Sequence, residues 1–434
     1  MPDILGEPPV ASRTPALSRR RFLVAAAGAG AAAVAGSVGG VLIATAEAPT
    51  TPTEVPGGSR PSVVPFEGAH QAGILRPAVP QAASLFAAFD VTAPTRDALA
   101  AAMAELTSRI RTLASAWSPD VGDPLYPPPE SGILGATTGP ADLTVTVSVG
   151  DSLFDGRFGL AARKPRQLAR MPKFPNDVID PKLSHGDVLV QICAVDQEAC
   201  IHALRYLQLG VRDALRLRWM IDGFSRPDPN PTPGHTTTRN LLGFKDGTAN
   251  PPMAGDERLA DDLLWVGSGD GEPGWAVGGS YLVVRPIRMF VERWDRTALG
   301  EQEGIIGRTK RTGAPLGSPR EETIPDYASD PGGSTVPLDA HIRLANPRTA
   351  ATERNRILRR GYSYSRGFDD AGLLDQGLVF VCYQRDLGAG FLTVQQRLHG
   401  EPLEEYIRPI GGGFFFALPG VTSANDYLGR SLLA

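Results

Sequence analysis

Gly243-Phe244-Lys245-Asp246-Gly247-Thr248-Ala249-Asn250-Pro251 places one carboxylate between two glycines, follows it with small residues and ends on proline. Gly and Pro weaken both helix interiors and central strands, so the segment reads as a tight turn. It holds Asp246 with little side-chain cover, which lets another group approach the backbone closely. Alone, an ordinary Asp-Gly turn would explain it as well. Two further blocks narrow the reading: His341-Ile342-Arg343-Leu344-Ala345-Asn346-Pro347-Arg348, and Leu358-Arg359-Arg360-Gly361-Tyr362-Ser363-Tyr364-Ser365.

Strand-then-helix units surround these blocks. Ser84–Val91 is an apolar strand. After Thr92 and Thr95, either of which can cap, Leu99, Met103, Leu106, Ile110 and Leu113 make one helical stripe. Asp142–Val149 alternates Leu and Val with Thr and Ser, the pattern of a half-buried strand. Asp187–Val195 is continuously apolar, and Asp196 can cap a helix that buries Ile201, Leu204 and Leu207. In the second half Ser280–Val284 reads as a strand, with Pro286 marking an edge or bulge. Arg296–Ile306 is helix-like, Gly377–Tyr383 is an apolar strand, and Leu392–Leu398 lies on a helix. Phe414–Leu418 is placed to close the sheet. The expected class is α+β with antiparallel pairing.

The chain has 434 residues, 42% of them hydrophobic, and a formal charge of −4. That length allows two domains. The charge argues against nucleic acid or an anionic membrane as partner. Ser18-Arg19-Arg20-Arg21-Phe22-Leu23 and the Ala/Gly/Val run Val24–Ile43 read as a twin-arginine signal, with small-residue cleavage sites after Ala46 or Ala48. A membrane anchor is the alternative, since the run is long enough to span. Residues 49–68, rich in Pro, Thr, Ser and Gly, read as a flexible linker. Cys193, Cys200 and Cys382 lie in apolar stretches without a paired Cys-x-x-Cys, so buried free thiols are expected.

The motif blocks together closely resemble the dye-decolorising (DyP-type) haem peroxidases, and most nearly their exported deferrochelatase/peroxidase branch. The resemblance covers roughly residues 65 to 430. It implies two ferredoxin-like halves in a dimeric α+β barrel-like arrangement, over 69–235 and 236–434, with one haem b between the sheet and the helices of the C-terminal half. The boundary is expected near Pro227–Pro233. The resemblance makes His341 the iron ligand, as peroxidases use an axial His. Its hydrogen-bond partner is left open, with Asp339 near in sequence. Asp246 becomes the base that moves the peroxide proton, and Arg359, the first of the Arg-Arg pair, the fixed charge. Gly247, Thr248 and Ala249 are expected against the porphyrin. Asn346, Pro347 and Arg348 follow the ligand, and Arg348 suits a haem propionate. Leu378 and Phe380 resemble the apolar pair roofing the distal pocket, though a plain core strand would read the same.

The implied reaction reduces hydrogen peroxide and oxidises dye-type or phenolic donors through an oxoferryl intermediate. Release of iron from haem is the alternative within the branch. A non-catalytic haem carrier would keep His341 without needing Asp246 or Arg359, and a chlorite dismutase-like enzyme lacks the Asp-Gly motif. The twin-arginine translocon is the implied export partner, to the periplasm or cell exterior. Self-association and iron-uptake partners are left open. Replacing Arg19 and Arg20 together by Lys should leave the protein in the cytoplasm, as cell fractionation would report. Normal export of that variant would refute the signal.

Overall fold

The computed structural model describes residues 63–77, 80–115, 122–135, 141–226 and 237–434. The expected signal, the linker up to residue 62 and the Pro227–Pro233 boundary lie outside the described residues. The last part of the expected linker is docked: Val64 and Phe66 are buried, and the Gly68 N–H donates to the Val421 carbonyl. Among the described residues no helix is long and apolar enough to cross a membrane.

The first half contains β1 (Ala83–Val91), α1 (Arg96–Leu113), β2 (Thr144–Gly150), β3 (Val188–Ala194), α2 (Gln197–Val211) and β4 (Leu215–Phe224). Thr95 caps α1 by accepting the Ala98 N–H, and Leu99, Met103, Leu106, Ile110 and Leu113 are its buried stripe. Asp196 caps α2 through the Ala199 N–H. Ile201, expected inside, is 38% exposed. The buried face of α2 runs instead through Cys200, Ala203, Leu204, Leu207 and Val211, and Ile201 sits one residue, about 100°, off that stripe.

The second half contains β5 (Ser280–Met289), α3 (Leu299–Ile306), α4 (His341–Ala345), β6 (Tyr362–Phe368), β7 (Leu374–Gln384), α5 (Thr393–Arg397) and β8 (Gly413–Ala417). The first half pairs as β4-β1-β3-β2 and the second as β8-β5-β7-β6, the same order. Antiparallel contacts between β2 and β8 and between β4 and β6 join them. The strands therefore close into a ring, which removes most free edges.

Closure explains a departure from the sequence reading of β2. Both of its faces are buried, because its Thr/Ser face looks into the ring. There the Thr146 hydroxyl donates to the Ala72 carbonyl and the Tyr383 hydroxyl to Gln191 Oε1. Pro286 is the other departure, since β5 continues through it to Met289. On one side Pro286 faces Val379. On the other, the partner changes there from β8, which reaches Val284, to Ile407–Pro409, which begins at Ile287. A missing N–H costs no ladder bond at such a change. The three thiols are free and buried, as expected.

Candidate active site

The outer face of β5 and β7 carries Arg285, Ile287, Met289, Leu378 and Phe380, and these line the floor of a cavity. Counting its open mouth, it spans about 1760 Å³ of space not filled by protein atoms. Leu378 and Phe380 are only partly buried, whereas Val379 and Val381 between and beyond them point into the ring. The apolar pair thus belongs to the cavity wall and not to the interior of the ring.

Asp246 does not sit in a single turn. Lys245–Asp246 is a short strand paired with Thr238–Arg239, flanked by a turn at Asn240–Gly243 and a second at Gly247–Asn250. Gly243 and Gly247 have φ of +86° and +103°, which side chains with a Cβ rarely adopt. The carboxylate Oδ1 accepts from Arg359 Nη1 at 2.9 Å, with both side chains between a quarter and a third exposed. Arg359 lies on the short strand Leu358–Arg359, paired with Cys382 and Tyr383 of β7. Its neighbour Arg360 is 4% exposed and donates to the Pro77 carbonyl, so of the two arginines only Arg359 lines the cavity.

Two residues hold this arrangement from behind. The buried Glu321 carboxylate accepts from Lys245, Thr237 and Thr248, gripping the chain on both sides of Asp246. Thr248 is thereby turned toward Glu321 while still lining the cavity. The Asn250 carboxamide accepts the Arg359 N–H at 3.1 Å and donates to the Arg359 carbonyl at 2.7 Å. Burial alone would raise the Glu321 carboxyl, but its three donors hold it below the usual range.

His341 opens α4 and lines the same cavity. Its Nδ1 lies 2.7 Å from Oε2 of the buried Glu401. Asp339 is exposed and is not that partner. Burial pushes the His341 imidazole down, but the Glu401 carboxylate more than offsets this, and the ring is held above its ordinary range. With Nδ1–H given to a carboxylate, Nε2 is the nitrogen left for a metal. Of the described histidines only His341 lines the cavity.

Asn346 and Arg348 line the cavity too, and Pro347 between them does not. Arg348 has φ +58° and donates its backbone N–H to Asn346 Oδ1, while its buried Nε has no acceptor. Arg308, also buried, donates only to the carbonyls of Gly313 and Glu321. Burial, and then the neighbouring Arg348 charge, depress the Arg308 guanidinium. One cavity edge is therefore cationic. Gly247 and Ala249 complete the set of expected residues brought together. The sequence reading gives no role to Arg308, and it missed Glu401, Glu321 and the buried Asp177–Arg285 pair, which lie outside the motifs. Asn250 lay within the quoted segment, but nothing local signals its bond to Arg359.

Two family models match the chain: Dyp-type peroxidase, N-terminal, over residues 71–225, and Dyp-type peroxidase, C-terminal, over 237–422. A Deferrochelatase of Shigella sonnei is 52% identical, covering 96% of this chain and 97% of the relative. The crystal structure of a DyP-type peroxidase from Cellulomonas bogoriensis superposes with a TM-score of 0.76 at 38% identity, covering 86% of this chain and 98% of that one. An oxyferrous complex of DtpA from Streptomyces lividans gives 0.77 at 36% identity over the same shares.

Removing the Glu321 carboxylate takes away a shared acceptor from three side chains. Glu321→Ala should lower unfolding free energy by about 3 kcal/mol, the scale of breaking a buried pair. The folded-state carboxyl is held below its unfolded value, so this contribution is present at neutral pH and lost as pH falls through the folded value. The gap between wild type and variant in denaturant titrations should therefore shrink on acidification. A pH-independent gap would contradict the assignment.

Proposed function

The chain belongs to the DyP-type peroxidase family, which makes it a haem peroxidase, and we propose that its cavity holds one haem b ligated by His341 and acts on peroxide through Asp246 and Arg359. One observation carries this reading. A single cavity brings together a carboxylate-backed imidazole and an acid–arginine pair.

The residues present fit the group. His341 offers Nε2 to iron, and Glu401 fixes its tautomer and raises its basicity. Arg348, with its orphaned Nε, and Arg308 give the cationic edge that two propionates require. Leu378 and Phe380 supply apolar wall, and Gly247, Thr248, Ala249 and Asn346 line the remainder. When bound, the haem supplies a redox-active iron that passes electrons from organic donors to peroxide. The Asp246 carboxylate is placed to accept a proton from the peroxide and return it to the departing oxygen as water forms. Arg359 stabilises the negative charge that develops there.

We assign residues 1–48 as a twin-arginine signal that delivers the protein to the periplasm or exterior, and 69–235 and 236–434 as the two halves. Iron release from haem is the second reading. It rests on the name Deferrochelatase carried by relatives about half identical to this chain. Simple haem carriage leaves the Asp246–Arg359 pair without a role.

His341→Ala should lose most bound haem and the His-ligated ferric spectrum. Unchanged haem content would move the ligand elsewhere. Asp246→Asn and Arg359→Leu should each slow the reaction of the ferric enzyme with peroxide by roughly a hundredfold, measured by stopped flow. Wild-type rates in both, with haem retained, would return the carrier reading.

A further inference from the structure

We infer that Asn250 is the positioning residue of the distal pair: its carboxamide stands in for a neighbouring strand at Arg359 and so sets where the guanidinium meets Asp246. The inference rests on the reading of Asp246 and Arg359 as the groups that act on peroxide.

The strand Leu358–Arg359 is paired along one side only, with Cys382 and Tyr383. On its other side the Arg359 backbone would face the cavity loops with one N–H and one carbonyl unmet, which is costly away from water. Asn250 meets both, accepting at 3.1 Å and donating at 2.7 Å. A carboxamide carries the same donor and acceptor as a peptide unit. Carboxylates accept only, and hydroxyls cannot span both atoms, so Asn is the side chain of suitable length for this exchange.

The placement also closes a ring of constraints. Asn250 ends the turn that begins at Gly247, its N–H donating to the Gly247 carbonyl at 2.9 Å. Gly247 follows Asp246 directly, and Asp246 accepts from the Arg359 side chain. Carboxylate, turn, carboxamide and guanidinium thus form one circuit, and Asn250 is the member that fixes backbone to backbone. The ion pair is partly exposed, and such pairs do not hold their own geometry against side-chain entropy. Misplacement of a catalytic group by about 1 Å costs up to about a hundredfold in rate.

The test uses the haem-loaded, full-length protein carrying Asn250→Ala, Asn250→Asp, Arg359→Leu, or Asn250→Ala with Arg359→Leu. Asn250→Ala should keep its haem and ferric spectrum, and react with peroxide roughly ten- to a hundredfold more slowly. Its affinity for cyanide, an anionic probe of the same pocket, should fall in parallel, while dependence on donor concentration stays the same. Asn250→Asp preserves shape and the acceptor for the Arg359 N–H but sets an oxygen against the Arg359 carbonyl, and should be slowed as well. In the Arg359→Leu background Asn250→Ala should add no further loss. Wild-type rate and cyanide affinity in either haem-loaded Asn250 variant would overturn the inference. So would losses that multiply in the double variant, or loss of haem by both Asn250 variants. If Arg359→Leu itself reacts at the wild-type rate, the reading of the distal pair has failed instead.

Discussion

Asp246 and Arg359 lie 113 residues apart in sequence and meet at 2.9 Å, and much of the C-terminal half serves to keep them there. A salt bridge this exposed contributes only about 0–1 kcal/mol, too little to determine its own geometry. The position is imposed by neighbours. Strand pairing with β7 places Arg359, a short hairpin places Asp246, and Glu321 and Asn250 tie each to its surroundings. The exposure has its own use, since a reactant must reach both groups.

The His341 side follows the opposite rule. Glu401 is a buried carboxylate whose charge would be expensive without a partner. Pairing with His341 relieves that cost and aligns the ring. The two partners lie 60 positions apart in sequence, so the imidazole is positioned by the packed fold and not by its own five-residue helix. The cationic edge at Arg308 and Arg348 is the reverse case. There the Arg348 charge and burial together disfavour the Arg308 guanidinium, a repulsion that an anionic ligand at this edge would offset.

What the sequence makes legible here is chemistry carried by contiguous residues. Thr95 and Asp196 cap helices as their types predict, the closing strand Phe414–Leu418 does bridge the halves, and His341, Asp246 and Arg359 do line one cavity. Asp339 was the near candidate beside His341, yet the partner is Glu401, because hydrogen-bond geometry is set by packing and not by proximity in sequence. The alternation in β2 was read correctly as two unlike faces. Its burial was not, because a polar face within a closed ring is indistinguishable in sequence from one in water. Pro286 misled for a related reason: the cost of a proline depends on what lies beside it.

The two halves share one strand order, yet the outer faces of their strands are covered differently. In the first, α1 and α2 run 18 and 15 residues and cover the outer face of their sheet with Leu99, Met103, Leu106, Leu204 and Leu207. In the second, the corresponding connections contain α3, α4 and α5, of 8, 5 and 5 residues, with a π-helical turn before α5. Short helices separated by loops do not seal a sheet face. The outer surface of β5 and β7 is therefore left to line a cavity, to which the segment after α3 brings Arg308 and the start of α4 brings His341. The shared strand order is in this way used asymmetrically: one half supplies a filled core, and the other exchanges helix length for a cavity.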